Sequence, residues 1–406
     1  MSARSTTDAT WRALPFVLIV IGSALRLAWP LDMEWKFDEK WMFAKAERVA
    51  QGTDPWPWVG MSSGVGLQNP GLSIWPFAAI AHVTDDPVHM TQWIQLINVL
   101  VLWGFALWVL RTWPLQDRAL GLWGVALFAI SPLPVLFSRK IWAQDLLPLF
   151  VLPWLWAHAK RALPLAAFAW GLAGALLGQV HMSGFFAAAS LFIVTVAIDG
   201  RRFPWVLWIL GSATGALLLV PWLQFLLTPA AKHAAAGHVI SLGFFSEGLG
   251  NAWGLGLRYP LGRAYNRFLS GPTIGGAATH LGALARYGLL GLLVLSAVLL
   301  IRERKTLQVS PWLRLYFLSL ALGGLLLTSS GVKVYAHYVI AWSPLLHVLA
   351  VWLLFRHRAL LLALCAGQLF LTASFLWFVH TEGGVPGSDY GVAYRAQSAE
   401  MRRPLD

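Results

Sequence analysis

Two adjacent carboxylates, Asp38 and Glu39, stand just after the first long apolar segment of a chain that is 58% hydrophobic and only 12% charged. Acids this close to a bilayer are costly unless they are solvated, paired or used, so the pair is the first place to look for chemistry. A carboxylate suits the role of general base, taking a proton from an attacking hydroxyl or amine. Asp145, shortly after Ser138 and Arg139, is another acid with a basic neighbour. The plain alternative for all three is structural, because an acid at a helix start satisfies free backbone N–H groups and is favoured by the helix dipole.

Membrane helices must hold these groups in place. Apolar runs of about 18 to 22 residues recur along the chain, the length that spans a bilayer. With 24 Trp and 22 Phe in 406 residues, this exceeds what a soluble core needs. The fold class is therefore all-α: a polytopic integral membrane protein with about eleven spans, near 13–30, 91–110, 119–137, 145–158, 163–180, 184–198, 204–227, 283–301, 312–329, 338–355 and 359–379. Pro132 and Pro134 fall in the third, and the fourth and sixth are short, so kinks or partial crossings are expected there. One domain, 1–380, is followed by a short tail, 381–406.

The net charge of +12 is spread in small clusters between apolar runs, which argues against a nucleic-acid partner. With the amino terminus in the cytoplasm, every inner connection is basic: Arg4 and Arg12, Arg111 and Arg118, Lys160 and Arg161, Arg201 and Arg202, Arg302 with Arg304 and Lys305, and Arg356 and Arg358. The long loops 31–90 and 228–282 and the tail then lie outside. The first span has the basic flank of a signal peptide but no small-x-small cleavage pattern, and is read as retained. Cys365, the single cysteine, sits in an apolar run and leaves no intramolecular disulfide. In the first loop, Met42, Phe43, Ala46, Val49 and Ala50 recur at helical spacing, predicting an amphipathic helix over 38–51 lying at the membrane interface, with Asp38 as its cap. The later loop holds Gly243, Gly248, Gly250, Gly254 and Gly256 and reads as a mobile segment.

Several segments carry a family resemblance. Arg26 at the end of the first span, Phe37-Asp38-Glu39-Lys40-Trp41, and Asn69-Pro70-Gly71-Leu72 resemble the opening of the GT-C lipid-linked glycosyltransferases, especially the protein mannosyltransferase-like group that also contains aminoarabinose transferases. Ser138-Arg139 with Asp145, Gly171 and Gly174 with Gln179-Val180-His181-Met182-Ser183, Gly211, Gly215 and Pro221-Trp222, and His337-Tyr338 with Pro344 resemble later family segments. Members often carry Pro-Pro-Leu where this chain has Asn-Pro-Gly-Leu.

The resemblance implies an extracytoplasmic reaction in which a sugar leaves a polyprenyl phosphate as an acceptor hydroxyl or amine attacks. It implies Asp38 as general base, Glu39 as its helper and Asp145 as a further acid of the site. A departing phosphate asks for positive charge, and Arg139, Lys140, Arg258, Arg263, Arg267 and Lys333 are candidates, with His337, His181 and Gln179 as polar contacts. Each cation has the alternative of snorkelling to lipid headgroups. The acceptor is a lipid, glycan or protein, and bilayer lipids are the other partner. No cofactor is expected by default, although Asp38, Glu39, Asp145 and His337 have ligand chemistry for a divalent metal. No Gly-rich nucleotide loop is present, so a soluble nucleotide sugar is not the expected donor. Trp56 and Trp58 are read as interface-belt residues, with sugar stacking as the other use. The competing functions are a transporter or flippase and a non-catalytic lipid-binding protein. The absence of an internal repeat and the placement of the acids at span ends count against transport.

Overall fold

Proline and short polar side chains set many of the helix starts. Pro87, Pro164 and Pro311 each open a helix, where the missing N–H has no intrahelical partner to lose. Ahead of the first, Asp86 accepts from the N–H groups of Val88 and His89 at 2.7 and 2.9 Å; ahead of the third, Ser310 accepts from Leu313 at 3.2 Å. The computed structural model, which describes residues 3–63, 66–200, 203–231, 240 and 242–405, is an all-helical integral membrane protein with three small two-stranded hairpins. Among the described residues, seven helices are long and apolar enough to cross a membrane: Ala9–Leu27, Pro87–Thr112, Trp205–Leu226, Leu281–Glu303, Pro311–Ser329, Ala336–Leu354 and Arg358–Glu382. Pro164–Val180 and Ser183–Asp199 are shorter apolar helices.

The two remaining expected spans are the helices Leu115–Ile130 and Leu147–Ala159. The span expected at 119–137 breaks at Ser131, because Pro132 and Pro134 supply no N–H, and a separate turn of helix, Pro132–Leu136, follows. Close packing elsewhere depends on glycine. A Cβ at Gly211 would lie 2.0 Å from the Phe168 carbonyl oxygen, and one at Gly171 would lie 2.3 Å from that of Trp208, so the two neighbouring helices meet backbone to backbone.

The first loop is a folded unit with its own core. Helix Phe37–Ala50 buries Met42, Phe43, Ala46 and Val49, as their spacing predicts, but against Ile74, Phe77, Ile94 and Ile141 rather than on a bilayer surface. The hairpin of Val59–Ser62 and Gln68–Pro70 folds the chain back to bring those partners in. Its exit needs Gly71, where a Cβ would lie 1.9 Å from the Pro57 carbonyl oxygen.

One further expectation is corrected. The described part of 228–282 is folded rather than mobile: Gly243–Ala252 is a helix, and Trp253, Leu257 and Leu261 are buried. A Cβ at Gly256 would lie 2.4 Å from Leu133 Cδ1, so this glycine permits packing rather than bending. Residues 232–239 and 241 of that loop, like the inner cations Arg201 and Arg202, lie outside the described residues. The carboxyl-terminal segment is also docked. Glu34 bridges Ala393, the Tyr394 N–H donates to Met33 O at 3.1 Å, Trp35 Nε1 donates to Arg402 O at 2.9 Å, and Arg395 pairs with buried Asp32, which also accepts from His380 Nδ1 at 2.7 Å. Arg395→Ala leaves Asp32 with one fewer partner and is expected to speed proteolytic cutting within 384–402 while sparing the membrane helices. Mass mapping of a limited digest checks this, and an unchanged cleavage rate refutes it.

Candidate active site

The backbone around Asp38 and Glu39 assigns the two acids different work. The helix begins at Phe37, and its cap position is Lys36, not Asp38 as expected. Glu39 Oε2 accepts from the Lys36 N–H at 3.2 Å, closing the helix start from its third position. Asp38 is relieved of capping. Its half-buried carboxylate makes no hydrogen bond or ion pair among the described residues, and it lines a cavity of about 280 Å³.

Beneath Asp38 runs a buried charge network. Lys140 Nζ lies 3.1 Å from Glu34 and 3.9 Å from Glu39, and 4.2 Å from the Trp142 ring centroid. Its backbone N–H donates to Asp145 at 3.1 Å, and Lys36 reaches Glu34 at 2.9 Å and Asp389 at 3.6 Å. Burial alone would lower the Lys140 pKa, but Glu34, Glu39 and Asp145 together carry it above the ordinary lysine value. Burial would likewise raise Glu34, but Lys140 and Lys36 outweigh it and hold that carboxyl below its usual range. Glu39 goes the other way: burial pushes it up, and Lys140 at the longer distance does not fully compensate. Burial also pushes Asp38 up, against opposition from Lys140 and Lys36. A raised carboxylate is a stronger base, so the free acid on the cavity wall is also the one suited to accept a proton.

Asp389 lines two cavities. The smaller is lined by Asp38, Asn69, Gln144, His181, His337 and Tyr259, with Trp142, Tyr335 and Tyr338 as aromatic walls. Among the described residues no lysine or arginine lines it. The larger, about 810 Å³, is lined by Arg258, Arg263 and Arg286 with Tyr265, Asn266 and Tyr287. Asp389 belongs to both walls. Arg286 packs over the rings of Tyr265 and Tyr287 at 5.3 and 5.0 Å, and its buried Nε has no partner.

Lys140 thus joins Glu39 and Asp145 in one network beside Asp38, and the cavity gathers His181 and His337 from distant segments. Other candidates are turned away from it. Arg139 donates to the carbonyls of Leu25, Arg26 and Trp29 at 2.8, 3.2 and 3.2 Å, closing the end of the first helix instead of facing a phosphate. Lys140 itself is buried under the cavity rather than open to a ligand. Asp145 is fully buried, accepting from Lys140 with Oδ1 unpartnered. Gln179 is spent on Ala175 O and Gly215 O, both at 2.9 Å. His181 Nδ1 is 2.7 Å from Ser183 Oγ, whereas His337 Nδ1 has no partner and its ring stacks on Tyr335. Lys333 sits 5.0 Å over Tyr335, outside both linings, and Arg267 pairs with Glu382 at 3.1 Å. Trp56 and Trp58 are exposed and line neither space.

Sequence reasoning missed Glu34, Lys36, Arg286 and Asp389. Glu34 and Lys36 lay within reach of the signal that picked out Asp38, being charges in the same short stretch. Arg286 and Asp389 had no local signal. Among the described residues no group of three or more His, Cys, Asp or Glu side chains is placed to hold a metal ion.

No protein-family model matches the chain, and no curated protein matches it. Among solved structures, the chain is similar to the crystal structure of the Archaeoglobus fulgidus oligosaccharyltransferase in the apo form, with a TM-score of 0.47 and 14% identity. The match covers 96% of this chain and 57% of that one, so this chain spans little more than half the length of that protein's chain.

Proposed function

We propose that the protein is a membrane glycosyltransferase that moves a sugar from a polyprenyl-phosphate donor to an acceptor hydroxyl or amine on the extracytoplasmic side. The observation that carries this reading is the separation of charge between two adjoining cavities: arginines in one, an unpaired carboxylate without cations in the other, and a shared wall at Asp389. The donor phosphate is held by Arg258, Arg263 and Arg286, whose guanidinium groups match its oxygens in bidentate fashion. Helix Leu281–Glu303, which carries Arg286, is apolar, long enough to cross a membrane and largely uncovered by the rest of the protein, with Leu284 70% and Tyr287 59% exposed, so a prenyl chain running along it in a bilayer would lie next to that phosphate site.

In the reaction, the acceptor oxygen or nitrogen forms the bond to the anomeric carbon while the carbon–oxygen bond to phosphate breaks. The electron pair leaves with the phosphate, neutralised by the arginines, and the acceptor proton passes to Asp38. Glu39 and Lys140 act one step back, fixing the helix start and the field around Asp38.

Purified protein in lipid nanodiscs, supplied with a panel of polyprenyl-phosphate sugars, is expected to release free polyprenyl phosphate. Arg286→Ala is expected to raise the donor KM by about tenfold, the scale of one charge-assisted contact, with a smaller effect on kcat. Absence of turnover with every donor, together with unchanged binding of polyprenyl phosphate by Arg286→Ala, sinks the assignment and favours a non-catalytic lipid-binding protein.

A further inference from the structure

The small cavity beside Asp38 is polar on one side, with two carboxylates and two amide side chains in its lining. Asn69, 7% exposed, commits its Nδ2 to Met61 O at 3.0 Å, which leaves Oδ1 buried without a partner. Gln144, 6% exposed, likewise has no partner for Oε1. Asp38 and Asp389 add two carboxylates to the same wall. The nearest cations are shared with Glu34: Lys140 pairs with it, and Lys36 lies between Glu34 and Asp389, where it also donates to the Asp389 carbonyl. Carboxylates on a cavity wall accept hydrogen bonds, so this space suits a ligand that brings donors. A ligand bringing negative charge would meet the Asp38 carboxylate, which has no ion pair, and the Asp389 carboxylate, whose 3.6 Å pairing with Lys36 is shared with Glu34 at 2.9 Å. At about 280 Å³ the cavity holds roughly nine water volumes, on the order of one monosaccharide.

We propose that this cavity selects a neutral, hydroxyl-rich sugar over one bearing a carboxylate, and that Asp389, carried in by the carboxyl-terminal segment, binds the hydroxyls of that sugar from the wall common to both cavities. The inference rests on the glycosyl-transfer reading and names its sugar class. Asp389 is suited to the task by position, because a sugar linked to a phosphate among the arginines reaches Asp38 past the one residue common to both walls. It is also held: Lys36 grips its backbone carbonyl, the neighbouring Tyr390 N–H donates to Pro260 O at 3.1 Å, and the Tyr259 hydroxyl faces its carboxylate. The segment that carries it is anchored on the first loop, next to the helix that carries Asp38.

The test measures binding of three probes to the full chain in nanodiscs: a bare polyprenyl monophosphate, the same lipid carrying glucose, and the same lipid carrying glucuronate. The wild type is expected to bind the glucosyl lipid about tenfold or more tighter than the glucuronosyl lipid. Asp389→Asn and, separately, Gln144→Ala are each expected to weaken the glucosyl lipid about three- to tenfold relative to the bare lipid, the range of a single hydrogen bond. Asp389→Asn is also expected to narrow the gap between the two sugars. Equal wild-type affinity for both sugars, or an unaltered glucosyl affinity in Asp389→Asn, overturns this proposal while bare-lipid binding leaves the transferase reading standing. An equal loss for bare and glucosyl lipids assigns Asp389 a structural role and overturns the proposal as well. Failure of the wild type to bind any of the three removes both readings together.

Discussion

Asp38→Asn is expected to fold normally, keep its affinity for the lipid-phosphate donor, and lose sugar transfer by about two to four orders of magnitude, the range contributed by a positioned general base. The amide keeps the shape of the side chain and removes its ability to take a proton. Transfer by the wild type should rise with pH along a limb centred above the ordinary aspartate range, because burial raises the Asp38 pKa and only the ionised form accepts a proton. That limb should vanish in the variant and return in part with Asp38→Glu. Stability gives a second readout with a definite sign. A carboxyl raised in the folded state favours folding less once it ionises, so above that pKa the Asn variant should be at least as heat-stable as the wild type. Transfer by Asp38→Asn at the wild-type rate would end the base assignment, and lost stability at neutral pH would show that the side chain serves structure instead.

Lys140→Met is expected to be the most destabilising single change at the site, costing about 3–5 kcal/mol, because it strands buried Glu34 and Glu39 beside the single remaining cation Lys36. The pH dependence follows from the directions of the shifts. In the wild type, Glu34 is held below its usual range, so its contribution is present at neutral pH and is lost as pH falls through that lowered value. Lys140 is raised, so its contribution persists at neutral pH and is lost only as pH rises through the raised value. Without Lys140 the two carboxyls prefer their protonated forms, so the gap in melting temperature should be widest near neutral pH and should narrow on acidification. Thermal unfolding of both proteins across that pH interval measures it. A gap that does not change with pH would mean that packing around the methylene chain of Lys140, over Phe137 and Trp142, carries the effect.

Arg139 and Lys140 show how far adjacent residues diverge once the chain folds. Both are basic, both follow the same apolar segment, and by sequence both are candidates for phosphate binding. Arg139 closes the carbonyls of the first helix, 114 residues away at Leu25, while Lys140 enters the acid network. Nothing in the local pattern separates them, because the direction of each side chain depends on which helix end lies opposite. Asp38 and Glu39 diverge in the same way. Their neighbours predict a helix, and the structure agrees, but which acid closes its start and which stays free is decided by the cap falling at Lys36. Asp389 is the extreme case, paired with Lys36 across 353 residues of sequence.

The sequence by itself determined that this is an all-helical membrane protein, where most of its long apolar helices lie, and that acids and cations gather in the connections now seen to meet around Asp38. Those properties are local: hydropathy over one span, helical spacing within one segment, and the balance of charge between neighbouring loops. Only the tertiary structure decided which charges are consumed in packing, which face a cavity, and that the arginines and the free carboxylate line separate spaces with Asp389 in both walls. The physical reason is that a polar side chain is satisfied by whatever partner the packed helices bring within about 3 Å, and those partners come from segments that the one-dimensional pattern does not relate.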